Sequence, residues 1–317
     1  MSRNAQETAA RAAVLALAAW LYSSCGDHGS VVSVSGVVWE RITPPLAAEA
    51  DRPDWLADSI AFQVTVQGSD RTAVSRDDGS GLAIQPETGS AGARAPRWVG
   101  SGLLVESSDR GGSEDLWYRE PLTGITRRLE ADPGREWTPV PRPGSPGILY
   151  VEGTDPDSGR LVLIPDTSAV PLGKVYLTPA SLGAGEPSFH PGGNEICFSA
   201  AGSGGTRQIW KLSLSDTLPV QLTVAPPVLP PAGPQIDRSP RWSPDGTRIL
   251  MASNRGGIWG VWTLDPLGEA QGLDVIAQDL AGAEVRHPAW SPDGTRILLS
   301  SNRGGARALW KLSNLGL

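Results

Sequence analysis

The strings SPRWSPDGTRILMASNRGG (residues 239–257) and HPAWSPDGTRILLSSNRGG (residues 287–305) repeat nearly the same sequence at an interval of 48 residues. In each copy Pro-Asp-Gly is a turn signal, because proline presets φ, aspartate bonds its own backbone and glycine accepts a positive φ. The apolar segments that follow predict short strands, and Asn-Arg-Gly-Gly predicts a hairpin at the end of each strand. Each copy therefore predicts a strand, a turn, a second strand and a hairpin.

Weaker copies of this pattern extend through the chain. Each copy is anchored by a proline, followed in five of the six copies by one residue and an aromatic side chain. The anchors are Pro53, Pro96, Pro139, Pro187, Pro240 and Pro288. A second aromatic residue follows 19 to 21 residues after the first in four copies, at Trp117, Trp210, Trp262 and Trp310. Four short strands in 43 to 53 residues are typical of a β-propeller blade, whose faces are buried only when blades stack in a ring.

The sequence thus predicts an all-β fold: a six-bladed β-propeller of four-stranded antiparallel blades over residues 53–317. The sixth copy lacks its fourth strand, and residues 26–52 precede the first copy. We expect residues 34–43 to pair with the last blade and close the ring, because an unpaired edge strand would expose its backbone donors and acceptors. A disordered tether over residues 27–50 is the alternative.

Residues 1–25 differ from the rest of the chain. Arg3 and Arg11 precede the apolar run AAVLALAAWLYSS (residues 12–24), which ends at Cys25. This run is short for a membrane span and typical of a secretory signal. The segment LYSSCG resembles the lipobox of bacterial lipoproteins, which predicts a signal peptide over residues 1–25 with Cys25 lipidated. A cleaved export signal without a lipid and an uncleaved apolar helix are the alternatives.

The composition of the chain limits the kinds of partner and the cellular compartment that we expect. The formal net charge is −7 and the isoelectric point is about 5.1, without a basic stripe, so nucleic acid is not an expected partner. The two cysteines, Cys25 and Cys197, cannot form a disulfide framework or a zinc motif. We expect a monomer at the periplasmic side of the cell envelope, held to the membrane by its N-terminal lipid.

The strings WSPDGTRIL and S(N/D)RGG, followed by a tryptophan-bearing strand, resemble the WD40-like repeat of TolB-type β-propellers. This resemblance covers residues 53–317 and implies the fold. It says less about function, because similar repeats also form the gating propeller of prolyl-oligopeptidase-like enzymes.

Motifs of catalysis are absent from the local sequence. The three histidines share no motif, and no metal-binding or nucleophile signature is present. We therefore expect a scaffold without enzymatic activity that binds an envelope protein or peptide through the pore-mouth face. The candidate binding residues on this face are Arg97, Glu136, Glu186, Asp237, Arg241, Arg255, His287 and Arg303.

Two other functions are compatible with the sequence. In a propeller hydrolase with calcium at the pore, the hard oxygen ligands would be Glu136, Glu186, Asp237 and Glu284, although no cofactor is the first expectation. In a ligand- or carbohydrate-binding module, the tryptophans outside the repeat positions would provide the contacts. These are Trp39, Trp137 and Trp259.

Overall fold

The computed structural model describes residues 36–43, 49–87, 91–100, 102–129, 134–202, 205–225, 234–279 and 282–316. All of them belong to one unit, residues 33–317. Their strands form six antiparallel sheets of four strands each. The predicted six-bladed, all-β propeller is therefore confirmed, whereas the predicted signal peptide and Cys25 lie outside the described residues.

The first three blades follow one another along the chain. Blade 1 contains β2 (Glu49–Leu56), β3 (Ser59–Val66), β4 (Ser69–Arg76) and β5 (Ala83–Ile84). Blade 2 contains β6 (Ala93–Val99), β7 (Leu103–Ser108), β8 (Asp115–Arg119) and β9 (Thr126–Arg128). Blade 3 contains β10 (Glu136–Pro141), β11 (Ile148–Asp155), β12 (Ser158–Ile164) and β13 (Val175–Tyr176).

The last three blades have the same order, except that blade 6 borrows a strand. Blade 4 contains β14 (Gly185–Phe189), β15 (Glu195–Ala201), β16 (Arg207–Ser213) and β17 (Val220–Gln221). Blade 5 contains β18 (Asp237–Trp242), β19 (Ile249–Ser253), β20 (Gly260–Leu264) and β21 (Leu273–Gln278). Blade 6 contains β22 (Val285–Trp290), β23 (Ile297–Ser301), β24 (Ala308–Ser313) and β1 (Val38–Arg41).

The sheets stack into a closed ring. The first strand of each blade contacts the first strand of the next, and the circle is completed by contacts between β22 and β2. Apolar side chains of neighbouring sheets form shared clusters; Leu149 and Val151 of blade 3, for example, pack with Ile196 and Phe198 of blade 4. Each blade therefore buries its faces only against its neighbours, as the repeat predicts.

Strand β1 closes the ring as predicted. It pairs antiparallel with β24, with Val38 opposite Ser313 and Arg41 opposite Trp310. The chain then continues along the seam between blades 6 and 1, where the Ile42 amide donates to the Leu309 carbonyl at 2.9 Å. The edge of β24 is consequently paired instead of exposed.

Helical structure is confined to two single 3-10 turns, Ala180–Leu182 and Arg255–Gly257, in the described part of the chain. No helix within these residues is long and apolar enough to cross a membrane.

The seam provides a test of ring closure. Trp39 of β1 packs edge to face on Trp310, with 6.4 Å between ring centroids, and lies under the Arg303 guanidinium. We expect Trp39→Ala to lower the free energy of unfolding by about 2 kcal/mol, because the lost ring is only partly buried. Urea denaturation measures the effect. Leu122→Ala, at a fully exposed leucine, is the control; equal urea midpoints for both variants would contradict a structural role for β1.

Candidate functional site

The first strand of every blade is interrupted at the same place. Its pairing with the second strand shifts register around the anchoring proline, as in a β-bulge. The residue immediately before each proline has a left-handed backbone, with φ between 46° and 53°. These six residues are Arg52, Ala95, Thr138, Glu186, Ser239 and His287. A bulge re-aims a side chain, and here it does so once per blade.

These bulges line one cavity at the axis of the ring. Every blade contributes at least one of its lining residues, which are Arg52, Arg97, Thr138, Val140, Glu186, Pro187, Ser239, Pro240, Arg241 and His287. Its free volume of about 10 Å³ is that of one water-sized group. The cavity can therefore admit one polar atom of a ligand, and the rest of such a ligand would lie outside it.

A hydrogen-bonded chain of acids and a histidine forms one part of the cavity wall. His287 Nδ1 lies 2.7 Å from Asp51 Oδ1, and His287 Nε2 lies 3.4 Å from Glu186 Oε1. Because the Asp51 carboxylate can only accept, Nδ1 carries a proton and Nε2 is the nitrogen available for exchange. This is the geometry in which an orienting carboxylate prepares a histidine for general acid–base chemistry.

Electrostatics favours the charged forms of this chain. Burial and, to a smaller extent, the charge of Arg52 lower the pKa of His287, but the Asp51 and Glu186 carboxylates together leave that pKa raised. Burial likewise opposes ionisation of Asp51 and Glu186, yet His287 lowers the pKa of both carboxyl groups. Glu186 also accepts hydrogen bonds from the Ser239 amide and from the hydroxyl groups of Ser239 and Ser199. The imidazolium and both carboxylates are therefore stabilised together.

A second ion pair crosses the cavity. Arg52 of blade 1 donates to Asp157 Oδ1 at 2.7 Å, and Asp157 lies in the hairpin between β11 and β12 of blade 3. Ligand atoms of Asp157, Glu186 and His287 all lie within 4.8 Å of one another. Three carboxylates, those of Asp51, Asp157 and Glu186, thus face two cations, Arg52 and protonated His287. The donor set suits a divalent cation bound in exchange for the histidine proton.

A buried carboxyl group lies near the arginines. The Trp98 amide donates to Asp54 Oδ2 at 2.8 Å. Burial raises the pKa of Asp54 to about 6, although the charge of Arg241 opposes this shift. Asp54 therefore gains its charge only near neutral pH.

The eight predicted binding residues divide into two groups. Four line the cavity: Arg97, Glu186, Arg241 and His287. The other four lie in ion pairs outside it. Glu136 pairs with Lys174 at 3.3 Å, Asp237 with Arg255 at 2.7 Å, and Arg303 with Asp279 at 3.8 Å.

The structure does not gather the four predicted calcium ligands. Of these, Glu186 alone belongs to the acidic and imidazole cluster of the described residues. Glu284 is engaged by Arg238, Arg286 and Arg307, and their hydrogen bonds lower its pKa to about 2 against the effect of burial. An imidazole ligand also makes a transition metal a better fit than calcium.

Several cavity residues lie outside the predicted set of eight. Arg52, Thr138 and Ser239 share a signal that the sequence contains: each directly precedes an anchoring proline. Asp157 has no such signal, because its hairpin departs from the Asn-Arg-Gly-Gly pattern. Its position at the cavity emerges only from the three-dimensional structure.

Comparisons with known proteins agree with the fold. No protein-family model and no curated protein matches the sequence. An oligogalacturonate lyase in complex with manganese has a similar structure, with 13% identity and a TM-score of 0.54 over 90% of this chain and 95% of that chain. A puromycin-hydrolyzing peptidase from Mycobacterium tuberculosis is 13% identical, with a TM-score of 0.55 over 82% and 52% of the two chains. TolB from Acinetobacter baumannii is 15% identical, with a TM-score of 0.50 over 81% and 67%.

These similarities confirm the predicted TolB-like propeller. They contradict the prediction that the chain has no enzymatic activity, since a lyase and a peptidase are among the similar structures. That prediction relied on missing local motifs. In this ring a site is assembled from single residues about 50 positions apart, so a contiguous motif is not required.

The raised pKa of Asp54 has a consequence for stability. A carboxyl group whose pKa rises on folding favours the folded state at low pH, and this contribution is lost as the pH rises from about 4 through 6. We expect Asp54→Asn to increase the free energy of unfolding at pH 8 by about 1–2 kcal/mol, and to have little effect at pH 4. Chemical denaturation at both pH values measures this. Asp58→Asn, on an exposed turn, is the control. An equal gain of Asp54→Asn at both pH values would show that titration of Asp54 is not the cause.

Proposed function

We propose that this protein is an enzyme whose active site is the axial cavity, with His287 as its general acid–base group and Asp51 as the residue that orients it. The observation that carries the proposal is the 2.7 Å contact between Asp51 Oδ1 and His287 Nδ1, which leaves Nε2 at the cavity. Such a group can remove a proton from a substrate or from water and return it to the leaving group. Elimination and hydrolysis both need this step.

Oligogalacturonates are the first substrates to test. The solved lyase that acts on them aligns with this chain over nearly the whole length of both, whereas the peptidase matches over about half of its own length. The two reactions give distinguishable products. Elimination leaves a double bond conjugated to the carboxylate and raises ultraviolet absorbance, while hydrolysis releases reducing ends without that change.

Activity should depend on His287 and on pH. We expect His287→Gln to reduce kcat/KM at least about a hundredfold, the usual contribution of general acid–base catalysis. As a base, His287 must be unprotonated, so kcat/KM should rise with pH through its raised pKa. Asp51→Asn removes the charge that raises this pKa and should shift the profile to lower pH.

His190→Gln is the matched control, because His190 lies in a turn outside the cavity lining. Equal loss of activity in the His190 and His287 variants would contradict the assignment. So would a pH profile that Asp51→Asn leaves in place.

We also propose a second state of this site, in which Asp157, Glu186 and His287 hold a divalent cation; Nε2 of His287 then binds the cation and does not act as the acid–base group. Two carboxylates and an imidazole are ligands that Mn²⁺ accepts, and a manganese complex is among the similar structures. When bound, the cation would neutralise a carboxylate or a developing negative charge. In its absence, the proton on His287 and the Arg52–Asp157 ion pair satisfy the same groups.

Metal binding should compete with the His287 proton. We expect Mn²⁺ to raise the melting temperature at pH 8 more than at pH 6, because the imidazole must lose its proton to bind. Asp157→Asn should abolish the increase, and Asp166→Asn, at an exposed position of the same blade, should not. An increase that is independent of pH, or that survives in Asp157→Asn, would place the cation elsewhere.

Export, lipidation of Cys25 and an envelope protein as partner stay predictions from the sequence. Export and lipidation are compatible with an enzyme in the cavity, because they concern the N-terminal residues. The partner is predicted at the pore-mouth face, where four of its eight candidate residues line the cavity. We propose the periplasmic side of the cell envelope as the location of the activity.

A further inference from the structure

Two of the three arginines at the cavity form no ion pair with a carboxylate of the described residues. Arg97 is only 5% exposed, yet it forms no ion pair with any described residue. Its Nη1 donates to the backbone carbonyls of Pro96 at 3.0 Å and Arg52 at 3.4 Å. Its buried Nε has no hydrogen-bond partner among the described residues either. Buried guanidinium groups are ordinarily paired, so Arg97 has an unused donor and an uncompensated charge.

Arg241 is the second unmatched cation. No ion pair with a described carboxylate engages it, and burial lowers the pKa of its guanidinium. The charge of Asp54 opposes this effect, whereas the charge of Arg52 adds to it. Asp54 itself is charged only near neutral pH and above. The surroundings of Arg241 therefore favour the arrival of an additional negative charge.

A third donor lines the same cavity. Thr138 is 4% exposed, and its buried Oγ1 has no hydrogen-bond partner in the described part of the chain. Thr138 also holds the left-handed backbone of its bulge, with φ of 47°. A β-branched residue rarely adopts this conformation, so the position of its hydroxyl group is maintained against backbone strain.

From these donors we infer an anion-binding site at Arg97, Arg241 and Thr138 that takes one carboxylate group of a small-molecule ligand. A carboxylate can accept paired hydrogen bonds from guanidinium groups, and one of its oxygens fits a cavity with room for one water-sized group. A phosphate dianion is bulkier than a carboxylate and fits this small cavity less well.

The inference deepens the proposed function and rests on it in one respect: the ligand is taken to be the substrate. His287 lines the same cavity as the three donors. A carboxylate bound there brings the carbon next to it towards Nε2 of His287. The cations then also stabilise the negative charge that develops when this carbon loses its proton.

Calorimetric binding to the full chain tests the site. The probes are galacturonate, its neutral counterpart galactose, and inorganic phosphate. We expect galacturonate alone to bind, with an affinity that falls as salt is added. Arg241→Gln should weaken binding about tenfold or more, since a hydrogen bond to a charged group is lost.

Thr138→Val tests the site with a variant that is expected to fold normally. The methyl group replaces a hydroxyl group that lacks a partner, so the variant should be at least as stable as the parent. It should nevertheless bind galacturonate several-fold more weakly. Arg127→Gln, at an exposed arginine outside the cavity, is the matched control and should bind normally.

Three results would overturn the inference: no binding of galacturonate, binding unchanged in both Thr138→Val and Arg241→Gln, or tighter binding of phosphate than of galacturonate. His287→Gln separates the two proposals, because it should abolish turnover and retain galacturonate binding. Arg241-dependent binding by a parent protein without any turnover would support the anion site and refute the enzymatic function.

Discussion

The architecture of the site depends on one backbone constraint: the left-handed conformation of the residue before each anchoring proline. Five of the six residues at this position line the axial cavity, and none of the six is glycine. A left-handed backbone at a non-glycine residue costs on the order of 1–3 kcal/mol. Six such positions persist because each lies in a strand that pairs with the second strand of its own blade and contacts the first strand of the next blade. The packing of the whole ring therefore maintains the conformations that direct functional side chains to its axis.

Ring closure and the acid–base pair share the same seam. Asp51 belongs to the first strand of blade 1 and His287 to the first strand of blade 6, so their hydrogen bond crosses the junction where the chain meets itself. Strand β1 completes blade 6 at this junction, and an ion pair between Arg296 and Asp77 at 2.5 Å links blade 6 to blade 1. A ring that opened here would separate the histidine from the carboxylate that orients it. Stability of the seam and protonation of His287 are consequently coupled.

The sequence predicted the fold well because short local patterns that recur in each blade determine the fold. The Pro-Asp-Gly turns, the apolar strands and the repeated tryptophans need only their own neighbours to be interpreted, and even the degenerate third copy forms a complete blade. The residues of the site do not recur in this way. Its positions repeat, but the residues at them do not: arginine, alanine, threonine, glutamate, serine and histidine follow one another around the ring. A search for one contiguous motif therefore finds nothing, and four of the eight charged residues predicted for the face lie in ion pairs outside the cavity.

The chemistry of the cavity follows from the different side chains that the blades place at one repeated backbone position. Glu186, His287 and Asp51 contact one another, and Arg52 pairs with Asp157, so these side chains are held in position. Arg97 and Thr138 retain buried donors without a partner among the described residues, and Arg241 forms no ion pair there, although the charge of Asp54 acts on it. The acid–base cluster thus has hydrogen-bond partners within the cavity, whereas the neighbouring donors lack them. A negatively charged ligand would supply the acceptors that these donors lack. The asymmetry arises because each blade supplies the same backbone position with a different side chain, which a ring of identical repeats could not achieve.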